Sequence, residues 1–106
     1  MDARRILVAN ELTSYRQTIA IVLRELHPGV EVFEVEPETL EGEVARLGPD
    51  LVICSRVTAG VRERAANRVE LYPKCKPFST FCIGGERRAM EDIQLSDLLS
   101  VCARVL

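Results

Sequence analysis

Short apolar runs alternate with longer amphipathic stretches along the whole chain. The first run, Ile6–Ala9, is continuous, which is typical of a strand that is covered on both faces. The stretch after it has apolar residues at helical spacing and stops at Pro28 and Gly29, so it predicts a helix. Ser14, followed three residues later by Gln17, matches the capping box that begins many helices. The chain is therefore predicted to open with a strand and a helix.

Three more strands and three more helices are predicted to follow in the same alternating order. The strands are predicted at Val30–Val35, Leu51–Cys54 and Phe78–Gly84. The helices after them are predicted to begin at Pro37, Thr58 and Ser96. The helix that begins at Thr58 is predicted to run to Tyr72, because apolar residues recur at helical spacing until Pro73. This alternation with short connections predicts βαβ units on a parallel sheet. Residues 1–106 are therefore expected to form one α/β domain.

Composition and charge narrow the class of protein. The 106 residues are 47% apolar and 28% charged, an ordinary globular balance that argues against a disordered chain. The net charge of −2 gives no broad attraction to nucleic acid or to an anionic membrane. No apolar run is long enough to span a bilayer, and the first one is too short for a signal peptide. We therefore expect a cytoplasmic protein that binds neither nucleic acid nor membrane.

The cysteines do not form a metal-binding pattern. Cys54, Cys75, Cys82 and Cys102 include no CxxC pair, and the single histidine, His27, is distant in sequence. Three of them lie in apolar runs and are expected to be buried, unreactive thiols. Cys75 lies between two lysines and is expected to be exposed. No metal and no other cofactor is predicted.

Polar residues and glycines follow the predicted strands where those strands end. They are Asn10 and Glu11 after the first strand, Ser55 and Arg56 after the third, and Gly84 and Gly85 after the fourth. Ligands bind beyond the carboxyl ends of the strands in an open parallel sheet, so these residues form a candidate site. One interpretation is that Ser55 and Asn10 only cap turns. The other is a small anion site with the charge of Arg56, the Ser55 hydroxyl and the glycine amides.

Four stretches of the chain resemble the receiver domain of response regulators, which has a flavodoxin-like, three-layer fold. They are "RRILVANE", "SYRQTIAIVLREL", "PDLVICS" and "DLLSVCARVL". A receiver needs an acidic pair after its first strand, an acceptor aspartate after the third, a hydroxyl after the fourth and a lysine after the fifth. The pair is Asn10 and Glu11 here and the acceptor position is Ser55, while the hydroxyl and the lysine have no counterpart.

The resemblance therefore implies a pseudo-receiver that takes no phosphoryl group and is not an enzyme. Such a domain would act as a regulatory module through contacts with a protein partner. The alternative is a domain that binds a small anion or small molecule at the carboxyl ends of the first, third and fourth strands.

The predicted sheet is one α/β unit shorter than that of a receiver. Residues 86–93 are too few for a helix and a strand, since a crossover needs at least about 10–12 residues. We expect four strands in the order 2-1-3-4, with a fifth strand at 87–93 as the alternative. Phe78, Thr80 and Cys82 would then lie on an unpaired edge, which favours a homodimer through that strand or through the helix face beside it.

Arginines cluster in the predicted third helix. Arg62, Arg64 and Arg68 lie there, and the last two are four residues apart and would share a face. A solvated helix face is one interpretation, and docking to an acidic protein surface is the other. Together with Phe78 and Thr80, these arginines make the predicted interaction surface.

Overall fold

The computed structural model describes residues 4–72 and 78–105. In these ranges the chain forms six strands and four helices. In chain order they are β1 Arg5–Ala9, α1 Thr13–Leu26, β2 Glu31–Glu34, α2 Leu40–Leu47, β3 Leu51–Cys54, α3 Ala59–Arg64, β4 Arg68–Glu70, β5 Phe78–Ile83, β6 Glu86–Glu91 and α4 Leu95–Ala103. A short 3-10 turn, Pro37–Thr39, precedes α2. In the described ranges, no helix is long and apolar enough to cross a membrane.

All six strands belong to one mixed sheet in the order β2-β1-β3-β4-β5-β6. The first four strands in this order are parallel to one another, whereas β5 is antiparallel to both β4 and β6. The predicted α/β class is confirmed. The predicted four-stranded parallel sheet is wrong, because the strand at Phe78–Ile83 runs in the opposite direction and lies fifth.

The third helix is shorter than predicted. It ends at Arg64, and Arg68–Glu70 pair with β3 as a parallel strand. Val61 and Ala65 pack in the apolar cluster on one face of the sheet, whereas Val69 packs in the cluster on the other face. These three residues have helical spacing, but they do not share a helix face, because Val69 belongs to a strand that pairs with β3.

Residues 86–91 form the strand β6, which decides between the two predictions for this segment. It joins β5 through Gly84 and Gly85, whose φ angles are +59° and +85°. Two-residue hairpin turns require positive φ, which glycine adopts without strain. Phe78, Thr80 and Cys82 therefore lie on a strand paired on both sides, so the predicted edge at these residues is wrong.

Helix starts agree with the sequence signals only in part. Thr58 caps α3 as predicted, since its hydroxyl accepts a hydrogen bond from the Val61 N–H at 3.4 Å. Ser14 lies inside α1, and the residue before that helix, Leu12, makes no side-chain cap. At α4, the Gln94 N–H donates to the Asp97 carboxylate at 2.8 Å, which is the reciprocal bond of a capping box.

Two apolar clusters cover opposite faces of the sheet. One includes residues of α1 and α4, and the other includes residues of α2 and α3. Among the described residues, the second cluster takes none from β4, β5 or β6. The side chains on that side of the three strands are half-buried or exposed rather than buried. We call this surface the open face; its residues include Arg68, Glu70, Thr80, Cys82 and Arg87.

Candidate functional site

The loops after β1 and β3 are joined by a hydrogen bond. Ala9 is paired with Cys54 at the ends of these parallel strands, which brings the following residues together. The Ser55 hydroxyl oxygen accepts a hydrogen bond from the Glu11 N–H at 2.9 Å. Ser55 therefore holds two loops together through a bond between distant parts of the chain, whereas the turn-capping interpretation expected a bond within its own turn.

The Arg16 side chain connects the loop after β1 to neighbouring residues. Its side chain is nearly buried, with 7% of the residue exposed. The guanidinium donates to the Asn10 carbonyl oxygen at 3.1 Å and to the Thr13 hydroxyl at 3.4 Å. It also lies 3.5 Å from a carboxylate oxygen of Glu36, beyond β2. Sequence reasoning missed this role, because an arginine in an amphipathic helix is ordinarily assigned to the solvent side.

Asn10 itself is 2% exposed, and its side-chain Oδ1 has no hydrogen-bond partner among the described residues. The three other predicted residues after β1 and β3, namely Glu11, Ser55 and Arg56, line a depression of about 250 Å³. In the described ranges, no group of three or more histidine, cysteine or acidic side chains is arranged to hold a metal ion. We call the region formed by Asn10, Glu11, Ser55 and Arg56 the strand-tip site.

Gly84 and Gly85 lie away from the strand-tip site. The Gly84 N–H donates to Asn67 Oδ1 at 2.9 Å, and the Asn67 amide donates to the Asp50 carbonyl oxygen at 3.2 Å. Asp50 precedes β3, so the glycine turn lies at the amino-terminal edge of the parallel strands. The structure therefore does not bring the glycines together with Ser55 and Arg56, because β5 is antiparallel.

The predicted interaction surface is reorganised by the new strand assignment. Arg64 and Arg68 do not share a helix face, since Arg68 belongs to β4. Arg62 and Arg68 instead meet Arg87 of β6 around a cleft of about 70 Å³. Its other lining residues are Val57, Glu70, Thr80 and Cys82. Phe78 is half-buried at the start of β5. We call this depression on the open face the arginine cleft.

A larger cavity of about 400 Å³ lies between α1 and α4. Its lining is uncharged and consists of Ser14, Tyr15, Thr18, Ile19, Leu71, Tyr72, Ile93, Gln94, Leu95 and Leu98. The Tyr15 and Tyr72 rings contact each other there, with centroids 6.5 Å apart. We call it the tyrosine cavity.

Tyr72 is held in an unusual conformation at the wall of this cavity. Its φ is +47°, in the left-handed region that bulky side chains rarely adopt. Its N–H donates to the buried Ser79 hydroxyl at 3.0 Å, and its own hydroxyl donates to the Ile93 carbonyl oxygen. Burial raises the pKa of Tyr72, and the nearby Tyr15 adds to this shift. The sequence assigned Tyr72 to a helix; Pro73 after it was the signal against that assignment.

The cysteines differ in accessibility. Burial raises the pKa of Cys54 and that of Cys102 to about 12 each, which matches the prediction of unreactive thiols. Cys82 was expected to be buried and is half-buried, in the arginine cleft. Cys75, predicted to be exposed, lies outside the described residues.

The strand-tip site, the arginine cleft and the tyrosine cavity occupy different parts of the described structure. The loops of the strand-tip site are joined by hydrogen bonds, the arginine cleft is basic, and the lining of the tyrosine cavity is uncharged. Comparisons with protein-family models, with curated proteins and with solved structures found no match for this chain.

Proposed function

We propose that this chain is a receiver-like regulatory domain, related in arrangement to the flavodoxin-like fold, that takes no phosphoryl group and acts by binding another protein. The strand order β2-β1-β3-β4 and the helices on both faces support the arrangement. The β5–β6 hairpin takes the place of the last α/β unit of a receiver.

The observation that carries the proposal is the hydrogen bond between the Ser55 hydroxyl and the Glu11 N–H, at 2.9 Å. A serine hydroxyl becomes a nucleophile only when a base removes its proton. The chain's one histidine, His27, ends α1, whereas Ser55 follows β3. Hard cations such as Mg²⁺ require several oxygen ligands. Glu11 is the one carboxylate that the resemblance assigns to metal binding. The site is thus built to hold loops and not to transfer phosphoryl groups.

The open face supports the second half of the proposal, the binding of a protein partner. Layered α/β domains ordinarily cover both faces of their sheet, and the second core cluster stops short of β4. The sheet edge at β6 is a poorer contact for another strand, because its exposed residues include Glu86, Arg87 and Arg88. We therefore place the partner on the open face and not on an edge. The positive charge of its arginines favours an acidic partner surface.

Incubation with acetyl phosphate and Mg²⁺, followed by intact mass spectrometry, tests the loss of phosphoryl transfer. We expect the mass of the wild-type protein to stay unchanged, as for a Ser55→Ala variant treated in parallel. A stable adduct of one phosphoryl group in the wild-type protein, absent from Ser55→Ala, would show that Ser55 is an acceptor and would end the proposal.

A second candidate function, the binding of a small neutral molecule, is favoured by the tyrosine cavity. Its volume of about 400 Å³ lies in the range of ligand pockets, roughly 300–1,000 Å³, and its lining is uncharged. Tyr15 and Tyr72 are the two tyrosines of the chain, which has no tryptophan, so tyrosine fluorescence reports on this cavity.

Titration with cyclohexanol, a neutral probe, is expected to change the tyrosine fluorescence to saturation. The charged control, cyclohexanecarboxylate, should not saturate, since no lining residue carries a positive charge to offset the desolvation of its carboxylate. Equal, non-saturating responses to the two compounds would rule out a ligand pocket at this place.

A further inference from the structure

A row of three side chains crosses the open face from β4 to β6. Arg68 is paired with Cys82, and Cys82 is paired with Arg87. Side chains paired in this way project from the same side of a sheet, and neighbouring strands lie about 4.8 Å apart. The Cys82 thiol is therefore flanked on both sides by arginines. Arg62, from α3, lines the same cleft.

The charges of these arginines are not balanced within the cleft. Among the described residues, no hydrogen bond or ion pair engages the guanidinium of Arg62 or that of Arg87. Arg68 donates to the Ala65 carbonyl oxygen at 3.1 Å, which leaves most of its five N–H donors unused. One carboxylate, that of Glu70, lines the cleft, and it accepts a hydrogen bond from the Val57 N–H at 2.8 Å. Three cations against one anion leave a net positive charge.

We infer that the arginine cleft binds a small oxyanion, either free phosphate or the phosphoryl group of a phosphorylated side chain. Guanidinium groups present paired N–H donors that match the oxygen atoms of phosphate, and the Thr80 hydroxyl adds a further donor. The cleft volume, about 70 Å³, is far below that of pockets for nucleotides or sugars. This site is separate from the strand-tip site, and the inference does not rest on the proposed protein partner.

The β6 strand offers a matched pair of variants for the test. Arg87 and Arg88 are neighbours in sequence, but Arg87 lines the arginine cleft, whereas Arg88 lines a depression beside α4 on the other face. Arg87→Gln and Arg88→Gln change the net charge equally. Helix α3 offers a second pair, Arg62→Gln against Arg64→Gln, since Arg64 does not line the cleft.

Inorganic phosphate is titrated into the ¹⁵N-labelled protein at constant ionic strength, with backbone amide shifts as the readout. We expect saturable shifts at Thr80, Cys82 and Arg87, and at least about tenfold weaker binding in Arg87→Gln and Arg62→Gln, since each removes a charge-assisted hydrogen bond. Arg88→Gln and Arg64→Gln should bind as the wild-type protein does. Non-saturating shifts, or equal weakening within each matched pair, would overturn the inference.

A second arm separates the two sources of the oxyanion. A short phosphoserine peptide and its unphosphorylated form are titrated in the same way. Tighter binding of the phosphoserine peptide than of phosphate, lost in Arg87→Gln, assigns a phosphorylated side chain as the ligand. Binding of phosphate alone assigns the free ion. If neither phosphate nor the phosphoserine peptide binds at the cleft, the inference is wrong.

Discussion

Three cysteine thiols of the described chain lie in different environments. Cys54 and Cys102 lie in the two apolar clusters, whereas Cys82 is half-buried in the arginine cleft. Only the thiolate form of a cysteine attacks an alkylating reagent, and burial raises the pKa of the first two thiols to about 12. Reactivity should therefore follow burial in the folded protein.

Alkylation by iodoacetamide near neutral pH is expected to modify Cys82 and to leave Cys54 and Cys102 intact. A Cys75→Ser background removes the thiol that lies outside the described residues. Peptide mass spectrometry locates the label, and the same reaction in denaturant serves as the control in which all three remaining thiols react. Labelling of Cys54 at the rate of Cys82 in the folded protein would contradict the burial described here.

The sequence predicted a hydrogen-bonding role for Ser55 without its partner, and it did not predict the role of Arg16. A serine after a strand commonly caps its own turn, so a hydrogen-bonding role was predictable, but its partner, the Glu11 N–H, lies on another loop 44 residues away. The ion pair of Arg16 depends on the distance between α1 and Glu36, which lies two residues after the end of β2. That distance depends on the tertiary structure, so it cannot be predicted from the pattern of residues along the helix.

At the scale of elements, a carboxylate joins α2 to the start of α3. Glu41, in α2, accepts a hydrogen bond from the Gly60 N–H at 3.1 Å. Hydrogen bonds from Thr58 and Gly60 lower the pKa of Glu41 below its ordinary value of 4.5. Helix α3 has six residues and is too short to be stable alone, so this contact fixes its first turn.

The lowered pKa of Glu41 predicts a pH dependence of stability. Because the folded protein favours the ionised carboxylate, the contribution is present above pH 4.5 and is lost as the pH falls through the lower pKa of the folded state. Glu41→Gln should therefore lower the urea midpoint near neutral pH, and the difference from wild type should shrink as the pH falls below 4.5. Glu38→Gln, in the preceding turn, is the matched control and should show a smaller effect. A difference independent of pH would contradict this account.

The first half of the chain was easier to predict than the second. Strands β1 and β3 are continuous apolar runs, and the helices between them end at proline or glycine, so local signals suffice. Strand β4 has three residues and depends on pairing with β3. The Gly84–Gly85 pair is a hairpin signal, but the charged β6 after it lacks the apolar alternation that identifies a strand. The direction of β5 depends on β4 and β6, so it could not be predicted from the residues of β5 alone.

At the scale of the whole molecule, the loops at the carboxyl edge of the parallel strands are bonded to one another. The Glu11 N–H bonds to Ser55, and Arg16 joins the same loop to Glu36. The Leu71 N–H, just after β4, donates to the Cys54 carbonyl oxygen at 2.7 Å. These bonds engage the Ser55 hydroxyl and the Glu11 N–H in holding the loops together, and we therefore propose that recognition occurs on the open face.

The hydrogen exchange rate of the Glu11 backbone amide tests this central claim most directly. Glu11 is exposed, so its amide should exchange rapidly unless the Ser55 hydroxyl holds it. We expect protection in the wild-type protein and in Ser96→Ala, an exposed control in α4, and at least about tenfold faster exchange in Ser55→Ala. A Glu11 amide that exchanges as fast in the wild-type protein as in Ser55→Ala would show that the serine hydroxyl is free, and would contradict the account.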